Sequence, residues 1–159
     1  MELRPPSARV DPRARWMWTV TDAVRCLPVL VLLLLGNGPW NWFSLPGWSW
    51  AVIAAVMLVY VGTVPQWRYL VHRWEVTETA VYTQTGWWAR ERRIAPMSRV
   101  QTVDHREGAI ERIFGLATVR ITTASSAGAL TIEGLDRDRA LQIVEELTRM
   151  ADSVPGDAT

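Results

Sequence analysis

Few side chains in this sequence are of the types that carry chemistry, and their spacing keeps them apart. There is one cysteine, Cys26, and there are two histidines, His72 and His105. No group of His, Cys, Asp or Glu has metal-ligand spacing, no Gly-rich loop could cradle a phosphate, and no Ser sits in a nucleophile elbow. His105 lies between Asp104 and Arg106 in a predicted loop with no nucleophile to serve, so it reads as a surface histidine. Cys26 directly follows Arg25, which is no lipoprotein setting. A single cysteine forms no internal disulfide, so it reads as a small apolar residue. Catalytic residues, cofactors and metals are therefore not expected.

One constellation has a positive reading. Arg90, Arg92 and Arg93 stand beside Trp87 and Trp88, and His72-Arg73 lies a short distance upstream. Arginines near a bilayer attract anionic headgroups at about 1 kcal/mol each. Arg73, Arg90, Arg92 and Arg93 are thus candidate headgroup contacts. The competing reading is a solvated strand face neutralised by Glu75 and Glu91, because strand alternation puts Arg93 opposite Arg90 and Arg92.

The elements that would hold these arginines near a bilayer are legible from a gap in the charges. Between Cys26 and Trp67 there is no Asp, Glu, Lys or Arg. A charge at the centre of a bilayer costs several kcal/mol, and one crossing needs about 20 apolar residues. The gap is broken by turn formers from Gly36 to Gly47, so it predicts two spans, about 18–36 and 48–67, within a hairpin over 16–70. Eight of the ten tryptophans lie near the predicted span ends. Trp and Tyr favour the interface, where an apolar ring keeps its polar atom wet. Trp18, Trp40, Trp48 and Trp67 are accordingly expected as interface anchors. Arg25 is expected to snorkel to the headgroups, and Pro65 to mark a bend before Arg68.

Arginine sets the orientation. Arg4, Arg9, Arg13, Arg15 and Arg25 precede or open the first span, Arg68 and Arg73 follow the second, and the loop between has none. Positive-inside bias puts both termini in the cytoplasm and makes the protein a multi-pass component of the plasma membrane. A cleaved signal peptide does not fit, because no small-x-small site follows the first apolar run and a second run comes next. Residues 1–15, rich in Arg and Pro without periodicity, predict a disordered tail, as do residues 153–159.

Beyond the hairpin the texture changes to short alternating runs. Residues 79–85, 87–94, 99–104, 117–123 and 130–133 read as strands, with turns at Gly86 and Gly128, the signature of an antiparallel sandwich or barrel. Gly115 should supply a turn, Phe114 a core plug, and Arg99 a partner for Asp104, Glu107 or Glu111. The period then changes. Asp136 is a helix N-cap, and Ala140, Leu141, Val144, Leu147 and Met150, with Ile143 beside them, make one apolar stripe. A separate cytoplasmic domain over 74–152 is expected, a small β-barrel or sandwich closed by a C-terminal helix and able to fold without the spans.

The motifs Ile94-Ala95-Pro96-Met97-Ser98-Arg99-Val100-Gln101, then Arg112-Ile113-Phe114-Gly115-Leu116, then Thr122-Thr123-Ala124, behind two spans, resemble the bacterial membrane-flanked PH-like domain family, the YdbS-like proteins. Ser125 stands where that family often has Gly. The resemblance implies a PH-like fold and fixes no activity. Three roles follow as expectations. The first is a membrane-anchored interaction or scaffold module, binding a protein partner or itself, with envelope maintenance as a setting. The second is a sensor of anionic headgroups, and the third is an accessory subunit of a transport complex. The partners expected are the bilayer and a protein or a second copy, with no nucleic acid.

Overall fold

The structure is a computed structural model that describes residues 6–86, 89–124 and 128–153. Two long helices form the hairpin, α1 (Arg13–Asn37) and α2 (Gly47–Val71). Both are long and apolar enough to cross a membrane. A helix is the form such a segment must take in lipid, because it satisfies every backbone group internally. Each runs past the predicted limits. Helix α1 starts before Trp18, and α2 continues through Pro65 to Val71. In the turn between them Trp40 stacks on Trp42, and Asn37 Oδ1 accepts the Leu45 N–H.

Two antiparallel sheets follow. The first has the order β1 (Ala8–Arg9), β2 (Arg73–Val76), β3 (Ala80–Thr85), β4 (Glu91–Pro96). The second has the order β5 (Val100–Arg106), β6 (Leu116–Thr123), β7 (Leu130–Asp136). A short helix α3 (Ala109–Phe114) joins β5 to β6, and α4 (Arg137–Ser153) closes the chain. The sheets form a sandwich and do not close into a barrel. Gly115 adopts φ +65° and turns the chain from α3 into β6, a conformation that disfavours a side chain. Phe114 packs against the core as expected. Asp136 Oδ1 accepts the N–H groups of Asp138 and Arg139 and so caps α4.

The core lies between the inner faces of the sheets and α4. Val81, Ala95, Val119, Ile121 and Ile132 meet Ala140, Ile143 and Leu147 there. Leu141, placed on the stripe by periodicity, is turned to the surface. Arg99 lies in a 3-10 turn (Met97–Arg99) instead of a strand. Two of the three carboxylates expected to meet it serve others. Glu107 pairs with Arg137 at 2.7 Å, while Glu111 accepts from Thr118 and from the Gly108 N–H.

The largest departure concerns residues 6–15, expected to be a disordered tail. Ala8 and Arg9 pair with Trp74 and Arg73 as an added strand, and Val10, Ala14, Met17 and Trp18 belong to the domain core. The Asp11 N–H donates to the Gly134 carbonyl, and Arg13 clasps Asp11, Asp136 and the Phe114 carbonyl. Gly134 makes this approach possible. Its φ is +72°, and a Cβ there would stand 2.6 Å from the Ala14 methyl. Burying an indole removes about 200 Å² from water, worth roughly 5 kcal/mol, so Trp18 alone outweighs the ordering of several residues. The core of the β domain thus includes residues outside 74–152. The first turns of α1 complete its core.

Candidate functional site

Where the hairpin meets the sandwich there is a polar cavity of about 500 Å³. Helix α1 contributes Asp22 and Arg25, α2 contributes Tyr60 and Arg68, and the sheets contribute Thr83, Glu91, Arg93, Thr131 and Glu133. Three guanidiniums face three carboxylates. Arg25 Nη1 lies 3.3 Å from Asp22, Arg68 Nη2 lies 2.6 Å from Glu133, and Arg93 Nε lies 2.7 Å from Glu91. The charges cancel; Arg68–Glu133 joins α2 to β7, while Asp22–Arg25 lies within α1 and Glu91–Arg93 within β4. Asp22 is only 3% exposed and accepts a hydrogen bond from Arg25.

His72 lies in the wall of this cavity at the end of α2. It is 3% exposed, and its ring meets Trp18 at 5.6 Å. Arg68 lies over the other part of Trp18, with its guanidinium carbon 4.6 Å from the ring centroid. Burial, and then the nearby Arg68 charge, push the His72 pKa down to about 4. The imidazole is neutral at pH 7, and its Nε2 is buried with no hydrogen-bond partner among the described residues. A second groove, of about 630 Å³, continues across the outer face of β5–β7 and shares Ala129, Thr131 and Glu133 with the first. Among the described residues, no three His, Cys, Asp or Glu gather as a metal site.

The four predicted headgroup arginines are not brought together. Arg73 lies half-buried in β2, between Arg9 and Gln84. Arg90 is exposed in the turn before β4. Arg92 donates from Nε to Gln84 Oε1, and Gln84 in turn donates to the Val71 carbonyl. Arg93 points into the cavity, as alternation along a strand requires. Trp87 and Trp88 lie outside the described residues. Among the predicted anchors, Trp40, Trp48 and Trp67 are exposed near helix ends. Trp18 is not an anchor. At 2% exposure it is a core residue, held there because the domain wraps the first turns of α1.

Sequence reasoning therefore missed the cavity. Asp22 and Arg25, three apart on one helix face, carried a local signal. Arg68 and Glu133 are 65 residues apart and meet only through the fold.

The architecture agrees with two comparisons. A family described as the bacterial PH domain matches residues 26–151. The UPF0699 transmembrane protein YdbS of Bacillus subtilis (strain 168) is 30% identical over 155 residues, covering 92% of this chain and 96% of that protein. No solved structure gives a significant match.

Proposed function

The chain belongs to the bacterial PH domain family and is membrane-associated, and from that premise we propose that it is a membrane-anchored interaction platform. The hairpin crosses the plasma membrane twice, both termini face the cytoplasm, and the PH-like domain binds a protein partner or a second copy of this chain. The observation that carries this is the open edge of the first sheet. Strand β4 ends that sheet, and its Ile94 is 40% exposed. An uncovered edge strand offers backbone donors and acceptors to an incoming strand, with side-chain pockets supplying specificity. The welding of α1 into the core makes the domain a fixed platform at the membrane surface. A fixed orientation lowers the ordering cost of binding a membrane-bound partner. Anionic-headgroup sensing is the weaker reading, because Arg73, Arg90, Arg92 and Arg93 are dispersed over different surfaces. No observation favours a transport accessory role or a part in envelope maintenance.

The test is photo-crosslinking in native membranes, with the crosslinker at Ile94 on β4 and, as control, at Glu145 on α4. A discrete protein adduct from position 94 and none from 145 is expected. Equal or absent adducts at both would sink the β4 edge as the docking surface. Reporter fusions at Asn41 and Thr159 check the topology, and an external signal from Thr159 would overturn it.

A further inference from the structure

The charged cavity lies at a definite depth along the hairpin. On one side of α1, Trp16, Val20, Val24, Leu27, Val31 and Leu34 follow at steps of three and four, all about half exposed. The lower part of this apolar stripe runs beside the domain, and only from Cys26 to Asn37 is α1 free of charge. The opposite side of the lower part of the same helix carries Ala14, Met17, Trp18 and Asp22, all buried against the domain. The domain therefore leans on the lower hairpin. Arg25 and Tyr60 line the cavity where the charge-free part of the hairpin begins, the depth at which headgroups would lie if the hairpin crosses a bilayer.

Its chemistry is that of a zwitterion. Three guanidiniums and three carboxylates line one space of about 500 Å³, within the size range of small-molecule sites. The Asp22–Arg25 and Arg68–Glu133 contacts are each made through one nitrogen, and the Arg25 side chain is 69% exposed. Guanidinium presents five donors in a fork that suits a phosphate. A wholly anionic guest would confront Asp22, Glu91 and Glu133 with no cation of its own to offer them. A quaternary ammonium offers them no N–H donor, whereas a primary ammonium offers three. The buried, unpartnered Nε2 of His72 in the cavity wall is a second sign of a polar guest, because such atoms are nearly always satisfied.

We infer that the junction cavity binds an amine-phosphate group, presented by a phosphatidylethanolamine-type lipid. Arg25 and Arg68 take the phosphate, and Glu91 and Glu133 take the primary ammonium. The lipid as source rests on the hairpin crossing the bilayer; the amine-phosphate chemistry does not.

The test uses the full chain in detergent, titrated with short-chain phosphatidylethanolamine, phosphatidylcholine or phosphatidylglycerol, and separately with soluble phosphoethanolamine. Tryptophan fluorescence and the thermal midpoint are read. Saturable binding of the ethanolamine lipid, at least tenfold tighter than of the other two lipids, is expected. Glu91→Gln should weaken it about tenfold while leaving the unliganded midpoint unchanged, because Glu91 is exposed. Glu145→Gln serves as a control that should change neither. Equal binding of the three lipids, or no loss in Glu91→Gln, would overturn the inference. Soluble phosphoethanolamine binding as tightly as the lipid would overturn the lipid source.

Discussion

The two halves of helix α1 obey different rules. From Cys26 to Asn37 the helix carries no charge, and half of its side chains are exposed apolar groups. From Arg13 to Arg25 it is two-faced. One face is apolar and exposed, and the other is buried in a folded domain and carries Asp22, which pairs with Arg25. In the upper half the surrounding solvent decides the residues; in the lower half, close packing does. The comparison teaches that an anchor and a domain core can share a single helix. Composition alone cannot locate the seam between them.

The most severe way to break this comparison is to remove the lower half. A fragment comprising residues 74–152, or the full chain lacking residues 1–18, loses Val10, Ala14, Met17 and Trp18 from the core. Large-to-small changes at single such sites cost about 2–5 kcal/mol each, and a whole domain has about 5–15 kcal/mol to lose. Both should show no cooperative thermal transition, and a folded 74–152 fragment would contradict the shared core.

Next comes the contrast between two tryptophans of the same helical hairpin. Trp18→Ala should destabilise the domain by about 3–5 kcal/mol, whereas Trp40→Ala, in the exposed turn, should change it by less than about 1 kcal/mol. Hydrogen exchange of the β6 amides in micelles measures both.

A pH effect of comparable or smaller size comes from His72. Its folded pKa, about 4, lies below the ordinary 6.5. Between those values the unfolded chain binds a proton that the folded chain does not, so stability is full above pH 6.5 and falls as pH drops toward 4. A shift of this size is worth roughly 3 kcal/mol across the window. His72→Gln should flatten the slope there, and an unchanged slope would place the acid sensitivity elsewhere.

The smallest effect is expected at the clasp. Arg13 holds the Asp11 and Asp136 carboxyls below their usual range through side-chain hydrogen bonds. Depressed carboxylates stabilise above their ordinary pKa, and that gain is lost as pH falls through the folded values. Arg13→Ala should therefore cost up to about 1 kcal/mol at pH 7, a modest figure for a partly exposed network. The gap to the unmodified protein should close below about pH 4 in acid titrations followed by circular dichroism.

The charge-free stretch, the strands at Ala80–Thr85 and Leu116–Thr123 and the helix cap at Asp136 were legible because each is a local pattern. Strand β1 has two residues, too few to show a period, and it lies in an Arg- and Pro-rich segment that has the composition of a tail. Trp18 carries the same residue signal as Trp40, so identity could not separate a core ring from an interface ring. The cavity was hidden for a different reason. Its pair Arg68–Glu133 joins residues 65 apart, a distance at which a single sequence has no periodicity to read.

The strand pairing of Ala8 and Arg9 with Trp74 and Arg73 has a consequence for how the protein is made. Ala8 and Arg9 are synthesised before both helices and wait for partners made only after them, and for α4 after that. If the hairpin crosses a membrane, the segments before and after it must finish in the same compartment for this pairing to form. A hairpin that inserts only one helix, or inserts with its ends on opposite sides, strands the first residues away from the sheet they complete. Such a chain cannot assemble its core and exposes apolar surface, the usual mark for degradation. Folding of the domain would thus report on whether the hairpin had inserted with both flanks on one side.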